Sequence, residues 1–306
     1  PLPACIRINP LAKSCPKGTF MDIKAIAMGL AFALMWSSAF TSARVIVEYA
    51  PPLSALALRF LISGLIGVGI AWVLGQSARL SRRQWQGVVI FGICQNALYL
   101  GLNFVAMQTV PASLAAIIAS TMPLLVAVAG WLVFGTKVRP LGLAGLIAGV
   151  IGVVLIMGAR VQGGVDLFGV LLCVIGVVCL TIATLAVLGA SSGGNVLMIV
   201  GLQMLVGSAL LWVPALTLEV WEVTWNWQLG VAFAYTTLVP GLAATLLWFL
   251  LVGRIGAVKA STFHFINPFL GVAIAAAFLG ERIGVLDVVG VAIIAGGILA
   301  VQLSKQ

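Results

Sequence analysis

The chain has 306 residues, of which 62% are apolar and only 8% charged, with a net charge of +9 and a mean hydropathy of +1.22. A soluble domain carries roughly 25% charged and 45–50% apolar residues, so lipid is the expected solvent here. The surplus of cations falls in short gaps between apolar runs, where Lys and Arg orient membrane spans, so nucleic acid is not an expected partner.

Residues 1–20 lack the apolar stretch of a secretory signal and are rich in Pro and Lys. They read as a tail of separate origin with Met21 as a natural initiator, or as a basic cytoplasmic extension. Ten apolar spans follow, near 25–47, 53–74, 85–107, 112–134, 140–158, 167–189, 195–218, 227–251, 257–279 and 285–303. Each can cross about 30 Å of hydrocarbon as a helix, which takes about 20 residues. The connections, such as Pro51-Pro52 and residues 136–139, 191–195 and 280–284, are short and rich in turn formers, so successive helices are expected to run antiparallel.

With the amino terminus inside, Arg7, Lys13, Lys17, Lys24, Arg79, Arg82, Arg83, Lys137, Arg139, Arg254, Lys259 and Lys305 lie on the cytoplasmic side. Only Arg44, Arg59, Arg160 and Arg282 lie outside, which predicts a multi-pass protein with both termini cytoplasmic.

Residues 112–158 recur without a gap as 257–303: Pro123 falls on Pro268, Gly135 on Gly280, Lys137 on Arg282, Leu141 on Leu286, Gly145 on Gly290 and Gly152 on Gly297. Two repeats are therefore expected, residues 21–160 and 161–306. Five spans per repeat is an odd number, so the second enters the membrane inverted, and a shared site belongs at the bilayer midplane. The predicted fold class is an all-α integral membrane protein of ten transmembrane helices, arranged as two inverted five-helix repeats around a central cavity.

Trp36-Ser37-Ser38-Ala39-Phe40, Pro51-Pro52, Ala57-Leu58-Arg59-Phe60, residues 112–124 (ASLAAIIASTMPL) and the turn Leu279-Gly280-Glu281-Arg282 carry a family likeness. Over residues 21–301 the chain resembles the drug/metabolite transporter superfamily, specifically its bacterial ten-helix metabolite-exporter (EamA) family. The first-half turn, Gly135-Thr136-Lys137, lacks the acidic member, so no symmetric role for that acid is expected. The resemblance implies export of small metabolites across the bacterial inner membrane. Within the family the chain is similar to the aromatic amino acid exporters by general likeness.

Polar groups are costly in lipid, so those at mid-span mark helix contacts or a cavity. Asn96, Tyr99, Asn103 and Met107 recur at helical spacing in the third span, either as a cavity face or as amides bonding neighbouring helices. Ser261, His264, Asn267 and Pro268 share a face of the ninth span, and His264 is the one histidine of the chain. It fits a neutral hydrogen-bonding or substrate-contact residue, or a proton carrier. Pro123 and Pro268 break their helices and free backbone carbonyls, for a ligand or merely for packing. Trp36, Trp248 and Phe263 are candidates for stacking on a ring-bearing substrate, whereas Trp221, Trp225 and Trp227 read as interfacial anchors. Arg44 and Arg59 are expected to extend their stems to the outer interface, with an exit gate as the other reading. The GxxxG of Gly145 and Gly149 permits close packing within the chain or in a dimer, with a monomer expected.

All seven acids (Asp22, Glu48, Asp166, Glu219, Glu222, Glu281 and Asp287) lie near span ends. A proton or sodium antiporter usually keeps a carboxylate at the midplane, so facilitated diffusion is the expected mechanism. The same absence disfavours cationic drugs, which need a buried acid, though neutral metabolites stay open. Cys5 and Cys15 lie in the leader and Cys94, Cys173 and Cys179 in spans, without metal-ligand spacing or a disulfide framework. One histidine with no neighbouring acid does not make a catalytic cluster, so neither an enzyme, a metal nor a cofactor is expected. The expected partners are a small amino acid or metabolite and the lipid bilayer.

Overall fold

The computed structural model describes residues 23–134, 139–187, 195–255, 260 and 262–304. Among them every regular element is helical. Among the described residues, nine helices are long and apolar enough to cross a membrane: α1 (Ile23–Tyr49), α2 (Pro52–Val73), α3 (Arg82–Ala106), α4 (Ala112–Leu132), α5 (Pro140–Arg160), α6 (Leu167–Leu185), α7 (Val196–Leu218), α8 (Trp227–Ile255) and α10 (Val285–Ser304). The expected ninth span is a shorter apolar helix, α9 (Phe263–Leu279), which opens on a tight 3-10 turn, Thr262–Ile266. The Gly135-Thr136-Lys137 turn, Ser261, Lys259 and the leader lie outside the described residues.

Helices suit this solvent because they satisfy their own backbone groups where no water is available. Their boundaries follow local chemistry. Ser81 and Gln84 form a reciprocal capping box at the start of α3, and the Asn226 side chain accepts from Leu229 N at 2.7 Å before α8. Gly280, at φ 66°, takes the left-handed conformation that stops α9.

The helices pack in pairs that map onto each other when five is added to or subtracted from the helix number. α1 packs on α8 and α9, while α6 packs on α3 and α4; α2 packs on α7, and α5 on α10. The last pair shows the arrangement in detail. A Cβ on Gly145 would lie 2.6 Å from the Gly297 carbonyl oxygen, and one on Gly152 would lie 2.8 Å from that of Gly290. Contacts therefore descend along α10 as they ascend along α5, so these two repeat-related helices are antiparallel. Gly149 faces Leu124, so both glycines of the GxxxG pack within the chain.

Polar side chains such as Ser37, Asn96, Asn103 and Gln203 are buried, while Leu132, Val154, Phe168 and Val213 point outward. That inside-out distribution suits a lipid-facing surface. Trp221, Trp225 and Trp227 are exposed at the ends of α7 and α8, as interfacial anchors are.

Candidate functional site

A cavity of about 190 Å³ lies inside the bundle, bounded by α1, α2, α3, α7 and α8 with contributions from α4, α6 and α9. Its polar wall comes from α3. Residues Gly92–Leu100 of that helix are wound as a π-helix, which brings Gln95 as well as Asn96 and Tyr99 to the cavity; Asn103 and Met107 continue the wall one and two turns on. The second π segment, Thr237–Ala243 of α8, starts 145 residues after the first (237 − 92), the same offset that relates 112–158 to 257–303. It supplies Pro240 and Gly241 to the cavity.

Hydrogen bonds hold the α3 wall in place. Asn96 Nδ2 donates to the Gln203 carbonyl of α7 at 2.9 Å, and Asn103 Nδ2 donates to the Tyr99 carbonyl at 2.8 Å. Asn103 Oδ1 is buried without a partner among the described residues.

The opposite wall is aromatic. Phe32 and Trp36 of α1, Trp248 of α8 and His264 of α9 all line the cavity. Ring centroids lie 4.8 Å apart for Phe32 and Trp248, 5.6 Å for Phe32 and Trp36, and 5.1 Å for Trp248 and His264, the last edge-on. His264 Nδ1 lies 2.9 Å from Asn267 Nδ2. An amide N–H donating there makes Nδ1 the acceptor and places the ring proton on Nε2.

The structure therefore gathers Trp36, Asn96, Tyr99, Asn103, Trp248 and His264 around one space. Asn267 stands behind it, in a small adjoining pocket with Ser37 and Ser120. Phe263 is a correction. Its ring packs over Gly29, where a Cβ would lie 2.3 Å away, together with Ala25 and Leu251, and so it does not line the cavity. Adjacent residues of any helical turn point about 100–120° apart, so neighbouring His264 and Phe263 face different sides.

Pro123 and Pro268 each sit second in a fresh helical segment, Met122–Phe134 and Asn267–Leu279, directly after an irregular turn. Neither proline lines the cavity, whereas Met122 and His264 do.

Arg59 is the second correction. Arg44 reaches the helix end, donating to the Met107 carbonyl and lying 3.4 Å from Glu48, but Arg59 is 4% exposed and lines the cavity. Its Nε donates to the Thr236 carbonyl at 3.1 Å, at the start of the π segment that holds Pro240. Sequence reasoning could have noticed Pro240, but not that α2 faces it. Gln95 and Gln203 were missed as well, because the π winding and the α3–α7 contact are not visible in a helical wheel.

No acidic residue lines the cavity among the described residues. Acids instead occupy helix ends. Glu219 accepts from Leu53 N and Ser54 N, at 2.6 and 2.8 Å, while Glu281 accepts from Ala112 N and Ser113 N, at 2.7 and 3.1 Å. Asp287 holds Arg160 through two hydrogen bonds, of 3.1 and 2.9 Å.

A multi-span helical protein with an aromatic and polar cavity between its two sequence repeats has the form of a membrane transporter. The model of the EamA-like transporter family matches residues 23–158 and again 167–303, so the chain belongs to that family. It is 26% identical over 282 residues to the "Uncharacterized transporter YvbV" of Bacillus subtilis, covering 92% of each chain. It is also 26% identical over 295 residues to the "Uncharacterized inner membrane transporter YedA" of Escherichia coli K12, covering 90% of each. To the "Aromatic amino acid exporter YddG" of Ancylobacter novellus it is 30% identical over 139 residues, 45% of this chain and 48% of the relative. A solved protein crystal structure superposes with a TM-score of 0.68 at 21% identity, over 92% of this chain and 96% of that one, which supports the fold alone.

Proposed function

We propose that the protein is a bacterial inner-membrane exporter or facilitator of amino acids, aromatic ones in particular, and of related small metabolites. It works by alternating access of two inverted five-helix repeats, residues 21–160 and 161–306, with both termini cytoplasmic. The observation that carries this reading is the cavity itself, in which an amide and phenol wall on α3 faces the aromatic wall of Phe32, Trp36, Trp248 and His264. A solute with a ring and a polar end matches those two surfaces. The paired packing of repeat-related helices and the antiparallel α5–α10 contact support the inverted arrangement. The partial likeness to an aromatic amino acid exporter supports the substrate class.

The test is uptake of labelled aromatic and aliphatic amino acids into liposomes holding the purified protein, with and without a pH gradient. Facilitated diffusion gives selective uptake of aromatic amino acids that is indifferent to the gradient. Tyr99→Ala and His264→Ala should each lower that uptake about tenfold or more while leaving the elution profile in detergent unchanged. Unchanged flux in both variants would remove the site assignment. Accumulation only under a gradient would instead make His264 a coupling group, the second reading that its position in the cavity wall allows.

A further inference from the structure

Arg59 is a buried cation with no carboxylate partner among the described residues. Its Nε serves the Thr236 carbonyl, and its guanidinium carbon lies 5.0 Å from the centre of the Phe60 ring. Neither terminal nitrogen makes a hydrogen bond among the described residues, and neither the Arg44–Glu48 nor the Arg160–Asp287 ion pair involves it. Removing a guanidinium from water costs far more than one hydrogen bond to a neutral carbonyl returns. The carbonyl does not require a charge either: beside it, the neutral Ser63 hydroxyl lies within hydrogen-bond distance of the next carbonyl, Thr237, at 3.1 Å. What remains is a planar fork of N–H donors, held from behind by α8 and bordering the cavity.

Resting on the reading of this cavity as the transport site, we propose that Arg59 is the carboxylate anchor of the transported solute. Nη1 and Nη2 donate to the two oxygens of a carboxylate, the geometry that a guanidinium matches best. The aromatic wall of Phe32, Trp36, Trp248 and His264 takes the apolar body. The preferred solute class is then a ring-bearing monocarboxylate, with the carboxylate a stronger requirement than an amino group. Binding of the anion supplies the counter-charge that the buried arginine lacks.

Trp36 and Trp248 give an optical readout of occupancy that does not depend on transport. The purified full chain is titrated with 3-phenylpropionate and with its uncharged amide, following tryptophan fluorescence. The carboxylate should bind at least tenfold more tightly than the amide. Arg59→Gln, which keeps a neutral donor for Thr236, should abolish that preference, and Arg59→Lys should retain part of it. A wild type without carboxylate preference, including one that binds neither compound, overturns the assignment, as does a preference that survives in Arg59→Gln. Should the glutamine variant fail to fold, the wild-type comparison and the lysine variant decide alone: a preference reduced but not lost in the lysine variant supports the anchor, whereas an unreduced one, or equal wild-type affinities, sinks it. Failure of the wider transport reading shows up separately, as binding without liposome uptake.

Discussion

At the scale of single residues, position relative to water decides what a polar side chain does. Asp166 lies just before α6, where its carboxylate accepts from the Thr109 hydroxyl at 2.6 Å and from Phe168 N and Gly169 N at 3.0 and 3.2 Å. The Thr109 hydroxyl first, and then those two backbone N–H groups, hold its carboxyl below the usual carboxylate range. A depressed folded-state pKa stabilises above the unfolded value and loses that contribution as pH falls through the folded value. The unfolding midpoint of the wild type should therefore exceed that of Asp166→Asn at pH 7 and at pH 5. The gap should close below about pH 4, near the unperturbed value. A gap that widens on acidification would contradict the cap. Asn96 and Asn103 face the opposite situation: buried within the bundle, each has its Nδ2 tied to a backbone carbonyl, which fixes how its amide meets the cavity.

At the scale of elements, several helices are completed by groups from elsewhere in the chain. α2 and α4 follow Pro51 and Pro111, which offer no side-chain cap to the exposed N–H groups. Glu219, after α7, and Glu281, after α9, supply the missing acceptors and place a negative charge at the positive end of each helix. Glu281→Gln should lower stability by about 1 kcal/mol, as the loss of an N-cap does, read from chemical denaturation in detergent. An unchanged midpoint would show that solvent replaces the carboxylate. The two π segments belong to this scale too. Each widens its helix at a repeat-equivalent place and turns otherwise internal backbone and side chains toward the cavity. Beside the second of them, the Thr236 and Thr237 carbonyls of α8 meet Arg59 and Ser63 of α2.

At the scale of the whole molecule, the tethers between the sequence repeats share a pattern. Glu219 and Glu281 of the second half cap α2 and α4 of the first, Asp287 holds Arg160, and Asp166 holds Thr109. The Arg160–Asp287 pair has two charge-assisted hydrogen bonds and a carboxylate only 6% exposed, so it is the strongest of these ties. A double-mutant cycle with Arg160→Gln and Asp287→Asn should give a coupling energy of about 1–3 kcal/mol. A value near zero would mean that the two halves are joined by apolar packing alone. If movement of the halves carries solute, both single variants should also change liposome exchange rates in the same direction.

The sequence by itself determined that this is a multi-span helical membrane protein with a duplicated stretch. That information is local: an apolar run of adequate length has essentially one way to satisfy its backbone in lipid, and a repeat needs only the chain compared with itself. The stripe of Asn96, Tyr99 and Asn103 was legible for the same reason, since periodicity assigns residues to one face of one helix. Only the tertiary structure decided what each face meets. It turned Arg59 inward, where its Nε meets a carbonyl 177 residues away in the chain. It turned Phe263 away from the cavity, into the space over Gly29 beside Ala25 and Leu251. Charge counting had placed Arg59 at the outer interface by assuming a straight helix and a flexible stem. Partners distant in sequence, not the residue's own neighbours, settled its place.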